Sequence, residues 1–329
     1  MTDIASGPPA SGSRAGQRPE AIKAIPVRHP WRWVSAVAVF AIAADVIYTI
    51  ATAPNLSWNA VWTWLFRPFI LGGIVVTIEL TVLAMVIGIV LGVVLAVMRL
   101  SPNPVMSWVS WIYIWFFRGT PVLVQIFFWY NLNAVLPHIG LVIPGTTLGW
   151  QVGTNSLINA FIAATLGLGL NEAAYMAEIV RAGIISVEHG QTEAAQALGM
   201  NRLLVMRRIV LPQAMRVIIP PTGNETISML KTTSLAVIAA VPELFTRSQQ
   251  VSNVYFTVIE MAIVASIWYL VMTSVLTVGQ YYLERYFARG AMRELPPTPL
   301  QRFRRLLFTF HAPPPAVADV SVYLPPGRR

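Results

Sequence analysis

Seven ionisable side chains lie within or at the margins of long apolar runs of this 329-residue chain. They are Asp45, Glu79, Glu172, Glu178, Glu225, Lys231 and Glu260. A charge in such a run is costly unless it is paired or faces water, so each is a candidate for contact with a charged ligand or ion. Glu178 and Arg181 are three residues apart on one helical face, which favours a structural ion pair over a ligand-binding role.

The apolar run at residues 217–240 is unusually polar for its kind. It contains Asn224, Lys231, Thr232, Thr233 and Ser234. This composition is typical of a helix that lines an aqueous path, and a ligand with both ammonium and carboxylate groups needs partners of both signs. We predict a path between the fourth and fifth apolar spans with Glu172, Asn224 and Lys231 near it, and helix packing is the alternative role for these residues.

The residue types give little support for a catalytic site, a metal site or a nucleotide-binding site. The chain has no cysteine, and its four histidines, at positions 29, 138, 189 and 311, lack ligand spacing, so we expect no metal site. No Ser/His/Asp set indicates catalysis. Neither of the two lysines, Lys23 and Lys231, follows a glycine, so a Gly-x-x-x-x-Gly-Lys-Ser/Thr phosphate loop is absent from the sequence. We therefore expect ATP to be handled elsewhere.

The elements that position these side chains are predicted to be membrane helices. Hydrophobic residues make up 56% of the chain and charged residues 11%, against roughly a quarter charged in soluble proteins. The mean hydropathy is +0.62. We predict an all-α polytopic membrane protein of about six transmembrane helices. The predicted spans are Val34–Ala53, Phe69–Met98, Pro121–Leu136, Ser156–Val180, Val217–Ala240 and Val254–Tyr281.

Two local patterns bear on how these helices pack. Residues 100–121 contain Trp108, Trp111 and Trp115 and end at Arg118, which predicts a helix at headgroup level, with a direct start of the third span as the alternative. Gly88 and Gly92 form a Gly-x-x-x-Gly pattern in the second span, which permits close helix contact. We predict packing within the chain there, with contact to another subunit as the alternative.

The distribution of basic residues predicts the orientation. With six spans and both termini cytoplasmic, the outer loops contain only Arg67 and Arg247, and Lys231 lies within a span. The remaining Lys and Arg are cytoplasmic, so the net charge of +9 reflects topology and not nucleic-acid binding. We predict a disordered basic tail at residues 1–33 and a Pro/Arg-rich tail at residues 286–329, which anchor the topology or contact anionic headgroups.

The cytoplasmic loop at residues 186–213 has the pattern of two short helices. We predict that Thr192 caps the first helix, that Glu193 lies in its first turn, and that Gly199 ends it in the left-handed conformation. A second, basic helix is predicted to run to Pro212, which breaks it before the next span. Small alanine side chains on the exposed turn would let a partner protein approach closely.

This loop resembles the Glu-Ala-Ala motif of bacterial ABC importer permeases of the type-1 transmembrane family. The matching residues are Glu193, Ala194, Ala195, Gly199, Leu211 and Pro212. Further matches, in the same order as in the polar amino acid permeases, are Gly73 to Thr81, Arg118, Gly119, Thr120 and Pro121, Ala174 and Tyr175, Glu178 to Arg181, and Leu230 to Leu235. The resemblance implies a five-helix permease core at residues 68–285, to which residues 34–53 add one span.

The resemblance also implies partners and a location. The loop would dock on a cytoplasmic ATPase dimer that binds ATP and Mg²⁺, so this chain would bind no cofactor. A second permease copy or close relative and an extracytoplasmic amino acid binding protein would complete the importer in the inner membrane. An ion-coupled secondary transporter using the intramembrane carboxylates is the alternative, and it does not explain the Glu193 loop. An intramembrane enzyme is the third hypothesis.

Overall fold

The computed structural model describes residues 30–142 and 149–287, so most of both predicted tails lies outside the described residues. The chain divides into two units, residues 1–56 and 57–329. In the first unit, helix α1 (Pro30–Ala51) includes a stretch, Trp33–Ala51, that is long and apolar enough to cross a membrane. This helix corresponds to the predicted first span.

The described residues of the second unit are helical apart from one hairpin and the short connections between elements. Its helices are α2 (Trp58–Leu65), α3 (Pro68–Arg99), α4 (Pro104–Gly119), α5 (Val122–Tyr130), α6 (Thr154–Leu157), α7 (Ala160–Ile185), α8 (His189–Ala197), α9 (Arg202–Val205), α10 (Leu211–Thr232), α11 (Leu244–Tyr255) and α12 (Val258–Phe287). Strands β1 (His138–Val142) and β2 (Gly149–Gly153) pair antiparallel, with His138 opposite Gly153. This hairpin lies in a predicted outer loop and was not foreseen from the sequence.

Four helices in the described ranges, α1, α3, α7 and α12, are long and apolar enough to cross a membrane unbroken. Two bent pairs raise the number of candidate spans to six. Helices α4 and α5 meet at 99°, and the helical stretch 202–239 meets α11 at 49°. The prediction of an all-α protein with about six transmembrane helices is confirmed.

The third span differs from its prediction at Pro121–Leu136. Helix α4, which contains the tryptophans, packs on α3 and α7. Ser110 Oγ donates to the Leu95 carbonyl of α3 at 2.8 Å, and Tyr113 Oη donates to the Leu170 carbonyl of α7 at 2.9 Å. The backbone becomes extended at Thr120 and Pro121, as is usual for a residue before proline, and the chain turns sharply there. Helix α5 then ends at Tyr130, before the predicted end of the span at Leu136.

Helices α3 and α7 pack closely through the Gly-x-x-x-Gly pattern. A Cβ at Gly88 would lie 2.5 Å from Glu172 Cγ, and a Cβ at Gly92 would lie 2.5 Å from Met176 Cβ. The predicted packing within the chain is therefore confirmed. On the other side of the unit, α2 contacts α12, because Glu260 accepts a hydrogen bond from the Ser57 amide at 2.9 Å and Trp268 Nε1 donates to the Leu65 carbonyl at 2.8 Å.

Candidate functional site

The first helix of the cytoplasmic loop begins earlier than predicted. Helix α8 starts at His189, so Thr192 lies inside it and donates its hydroxyl to the His189 carbonyl at 2.7 Å. The predicted Thr192 cap is therefore wrong, since the hydroxyl bonds back to the helix carbonyl and not forward to an amide. Glu188 occupies the cap position without a side-chain bond, and Glu193 follows the first turn with its side chain exposed.

The end of α8 agrees with its prediction. Gly199 has a φ of +79°, in the left-handed region, and its amide donates to the Gln196 carbonyl at 2.9 Å. The Met200 amide donates to the Ala195 carbonyl at 3.1 Å, so carbonyls at the helix end are satisfied by the turn. Asn201 then caps α9 by accepting from the Leu204 amide at 2.9 Å. The loop thus has two consecutive, well-defined turns.

Pro212 does not end the helical structure before the next span, contrary to the sequence prediction. Residues Met206–Val210 form a π-helical turn in which the Leu211 amide donates to the Met206 carbonyl, five residues back. Leu211 and Pro212 are the first residues of α10, where proline is tolerated because an amide there has no intrahelical partner to lose. The wide π-helical turn leads directly into α10, so no flexible link separates the loop from this membrane span.

The two alanines of the motif have different surroundings. Ala195 is buried against Val205 and Val210, which gives the loop its own small core, whereas Ala194 is exposed. The expectation that these alanines are exposed for close approach by a partner is therefore wrong for Ala195. Two exposed leucines flank the turn, Leu198 at 84% and Leu203 at 78% exposure. Sequence reasoning missed them, although apolar residues in a polar loop are a recognisable signal of a contact surface.

The motif at Arg118, Gly119, Thr120 and Pro121 builds the sharp bend between α4 and α5. Gln125 Nε2 donates to the Phe117 carbonyl at 3.0 Å and to Thr120 Oγ1 at 2.7 Å. Asn171 Nδ2 donates to the same Phe117 carbonyl at 2.7 Å, which attaches the bend to α7. These amides satisfy backbone and hydroxyl groups that the end of α4 would leave unpaired.

An acidic cluster lies beside this bend. Glu172 of α7 is buried under Gly88, and its Oε1 has no hydrogen-bond partner in the described part of the chain. Glu225 of α10 interacts electrostatically with Glu172 and with Arg118. The Arg118 guanidinium lies 5.0 Å from the centre of the Tyr175 ring. This cluster joins α4, α7 and α10 within the membrane-spanning part.

Glu178 and Arg181 form the ion pair that their spacing predicts. Arg181 donates to Glu178 Oε2 from Nη2 at 2.7 Å and from Nε at 3.1 Å. This two-donor geometry near the end of α7 satisfies both charges locally. A structural role is therefore sufficient to account for the pair.

The residues predicted to line a path are not all together. Glu172 faces α3, whereas Asn224 Oδ1 accepts from Gln280 of α12 at 2.9 Å. Lys231 borders a pocket between α10 and α12. The hydroxyls of Thr232 and Ser234 donate to the carbonyls of Ser228 and Lys231. These positions therefore do not support a path that is lined by α7 and α10 of one chain.

The exposed face of α10 is polar. Asn224, Ser228 and Lys231, spaced by four and three residues, all have exposed side chains. This spacing places them on one side of the helix. In a membrane such a polar side needs water or a protein partner, because hydrocarbon solvates none of its groups.

Comparisons with known proteins now identify the family. Residues 88–289 match the family described as binding-protein-dependent transport system inner membrane component. The arginine transport system permease protein ArgU of Corynebacterium glutamicum is 49% identical over 90% of this chain and 91% of its own length. A probable amino-acid ABC transporter permease protein, PatM of Vibrio harveyi, is 36% identical over 69% of this chain and 95% of its own.

Solved structures agree in fold. A chain in the crystal structure of an amino acid ABC transporter with histidines is 34% identical and superposes with a TM-score of 0.57, covering 67% of this chain and 94% of that one. A methionine ABC transporter chain, at 18% identity and a TM-score of 0.52, shares the fold. Nothing in these comparisons favours the ion-coupled secondary transporter.

A permease of this family works with an ATPase and a substrate-binding protein, and is a transport component and not an enzyme. Three features agree with this role. They are the polar loop with its helix-turn-helix, the bent membrane spans, and the similarity to amino-acid permeases over most of the chain. The chain therefore belongs to the binding-protein-dependent transport system inner membrane component family, as the membrane-spanning permease subunit of an amino-acid ABC importer.

Proposed function

We propose that the amino acid carried by this permease is cationic, with arginine as the substrate. The observation that carries the proposal is the arginine transport relative, which is 49% identical over 90% of this chain. Glu172 and Glu225, two carboxylates inside membrane-spanning segments, support it, since a guanidinium or ammonium group binds well beside carboxylates.

The test is uptake by the complete importer in proteoliposomes that contain the permease, its ATPase and its binding protein. Labelled arginine should enter only when ATP is supplied, and excess lysine should compete where excess leucine does not. Vesicles with a hydrolysis-deficient ATPase serve as the control and should take up nothing. Uptake of leucine in place of arginine would contradict the substrate, and uptake driven by an ion gradient alone would contradict the energy source.

A second permease copy, or a close relative, completes the path in this proposal. The exposed polar face of α10, formed by Asn224, Ser228 and Lys231, supports this, because a partner chain would enclose water beside it. Glu172, Thr232 and Ser234 remain path candidates as predicted. Substituting Glu172, Asn224 and Lys231 one at a time should impair uptake while the ATPase stays bound, and wild-type uptake in all three variants would contradict the path.

The loop around Gly199 is proposed to dock on the ATPase, with one ATPase subunit of a cytoplasmic dimer for each permease. Exposed Glu193, Ala194 and Leu198 beside a left-handed turn form a compact surface that supports this. Leu211 and Pro212 would pass movements of the loop into α10, since helical structure is continuous there. ATP and Mg²⁺ would bind to the ATPase, and this chain would bind no cofactor.

Changing Leu198 to Ser tests the docking surface. Because the side chain is 84% exposed, its loss should leave the fold intact and weaken ATPase binding by about tenfold, as expected for an apolar contact residue. Copurification of the ATPase and its ATP turnover are the measurements. Leu136→Ser, which changes an exposed leucine at the outer end of the predicted third span, is the matched control and should bind normally. Equal behaviour of both variants would contradict the surface.

A further inference from the structure

A pocket of about 500 Å³ opens between the end of α10, α11 and α12. Its lining includes the ammonium-bearing side chain of Lys231 and four hydroxyl groups, those of Ser234, Ser266, Tyr269 and Thr273. We refer to it as the Lys231 pocket. A single cation surrounded by hydroxyls is the chemistry of an anion-binding site.

Lys231 has no acidic partner within the described ranges. The ion pair formed there at 4.0 Å or less joins Glu178 and Arg181 and is remote in sequence from the pocket. Glu243, the carboxylate that reaches Tyr269, already accepts four hydrogen bonds from protein donors. A lysine within a membrane-spanning segment needs a counter-charge or water, so the pocket is suited to an anion that enters it from outside.

The position of the pocket along α12 favours a transported substrate over a lipid headgroup as that anion. Thr273 lies at the midpoint of the 30-residue helix α12. A 30-residue helix centred in a hydrocarbon core about 30 Å thick has its midpoint near the midplane, about 22 Å from either helix end at a rise of about 1.5 Å per residue. Phosphates stay at the membrane surface, whereas the substrates of many transporters bind near the midplane.

The hydrogen bonds show which side chains of the pocket still have an unused hydrogen-bond donor. Ser234 donates to the Lys231 carbonyl, Tyr269 to Glu243, and Thr273 to the Tyr269 carbonyl. Lys231 and Ser266 therefore remain as the donors of the pocket in the described part of the chain. Two donors that line one pocket, one of them charged, match the two oxygens of a carboxylate.

We propose that the Lys231 pocket binds the α-carboxylate of the transported amino acid at the middle of the membrane. The inference rests on the proposed function, since it takes an amino acid as the substrate, but it concerns the carboxylate that every amino acid carries. Lys231 is a specificity-determining residue in this view, because it distinguishes an amino acid from the corresponding amine.

The experiment measures equilibrium binding to the detergent-purified complex of permease and ATPase without the binding protein. The probes are two matched pairs, arginine with agmatine and leucine with isopentylamine, in which the second member lacks the carboxylate. In the wild type the amino acid should bind about tenfold more tightly than its amine, as expected for one charge-assisted contact. Lys231→Gln should remove this preference by weakening the amino acid and not the amine.

Three variants separate a binding role from a structural one. Lys231→Arg keeps the charge and should retain most of the preference, and Ser266→Ala should reduce it about threefold, as for a neutral hydrogen bond. Arg285→Gln removes a positive charge from α12 near its end and is the matched control, with the preference unchanged.

Each outcome decides the proposal. If Lys231→Gln loses the preference for the amino acid over its amine in either pair, the pocket is supported. If the wild type shows this preference, and the variant loses it, only for leucine and isopentylamine, the cationic substrate is wrong while the pocket stands. An unchanged preference in that variant overturns the pocket even if ATP-driven arginine uptake is intact. A wild-type complex that binds neither amino acid also overturns the pocket. Separation of a permease dimer in Lys231→Gln overturns it as well, because it would show that the lysine pairs with a second chain.

Discussion

Glu243 is a fully buried carboxylate at the start of α11, and it joins this helix end to α12. Its Oε1 accepts from the amide and the hydroxyl of Thr246 at 2.6 and 2.8 Å. Its Oε2 accepts from the Phe245 amide and from Tyr269 Oη, both at 2.9 Å. A charge at this depth is stable because all of its hydrogen bonds come from fixed donors and from the positive end of a helix.

Glu243→Ala should therefore destabilise the permease strongly. The loss of the cap costs about 1 kcal/mol, and a buried tyrosine hydroxyl without its acceptor adds about 1 to 3 kcal/mol. Thermal unfolding of the detergent-solubilised protein measures the effect. Glu188→Ala is the matched control, because Glu188 occupies the same position at the start of α8 without a side-chain cap. Similar unfolding of both variants would contradict this account.

Helices α3 and α7 make the most extensive contact between two elements of the second unit, and small residues permit it. Beside the Gly92 position lie Met176 Cβ and, at 3.0 Å, the Ala177 amide nitrogen. Backbone atoms cannot move aside as a flexible side-chain end can. The close approach therefore depends on the absence of a side chain and not on helix propensity, since glycine is a poor helix former.

Gly92→Ala should push α3 and α7 apart and lower stability by about 1 to 3 kcal/mol, the usual cost of overpacking. Gly279→Ala in α12 is the control, because nothing lies within 4 Å of a Cβ there. The control should be neutral or gain up to about 1 kcal/mol from the better helix former. Unfolding of both variants in a mild detergent is the measurement, and a neutral Gly92→Ala would show that the helices do not pack as described.

The candidate spans and the basic residues together define a topology for the whole molecule. We propose that both termini and the Gly199 loop face the cytoplasm and that the hairpin between α5 and α7 faces outward. The proposal follows from the scarcity of Lys and Arg in the predicted outer loops. Because the chain has no cysteine, single cysteines can be introduced without background.

A membrane-impermeant maleimide should label Asn155→Cys in intact spheroplasts. Ser11→Cys, Gln191→Cys and Ala318→Cys should be labelled only after the membrane is opened. Asn155 and Gln191 are exposed, so a lack of labelling there cannot be due to burial within the chain. Uptake of arginine by each variant is the control for correct insertion. Labelling of Ser11→Cys and Ala318→Cys on opposite sides would contradict an even number of spans.

The sequence was sufficient to predict the membrane class, the approximate spans and the motif loop. Apolar runs of about 20 residues have one stable structure in lipid, because every backbone group must be bonded within the helix. The Gly199 turn was predictable for a similar reason, since few residues other than glycine adopt a positive φ at low cost. Local physics decides these features, so a local pattern reveals them.

Tertiary structure alone decided which faces of these helices meet. The 99° bend after Gly119 and the burial of Ala195 depend on bonds and contacts with residues of other elements. The pairing of Glu243 with Tyr269 and the placement of Ser266 and Thr273 beside Lys231 bring together residues more than twenty positions apart. Each of them arises because helix packing satisfies buried polar groups across elements, a condition that no pattern within one segment encodes.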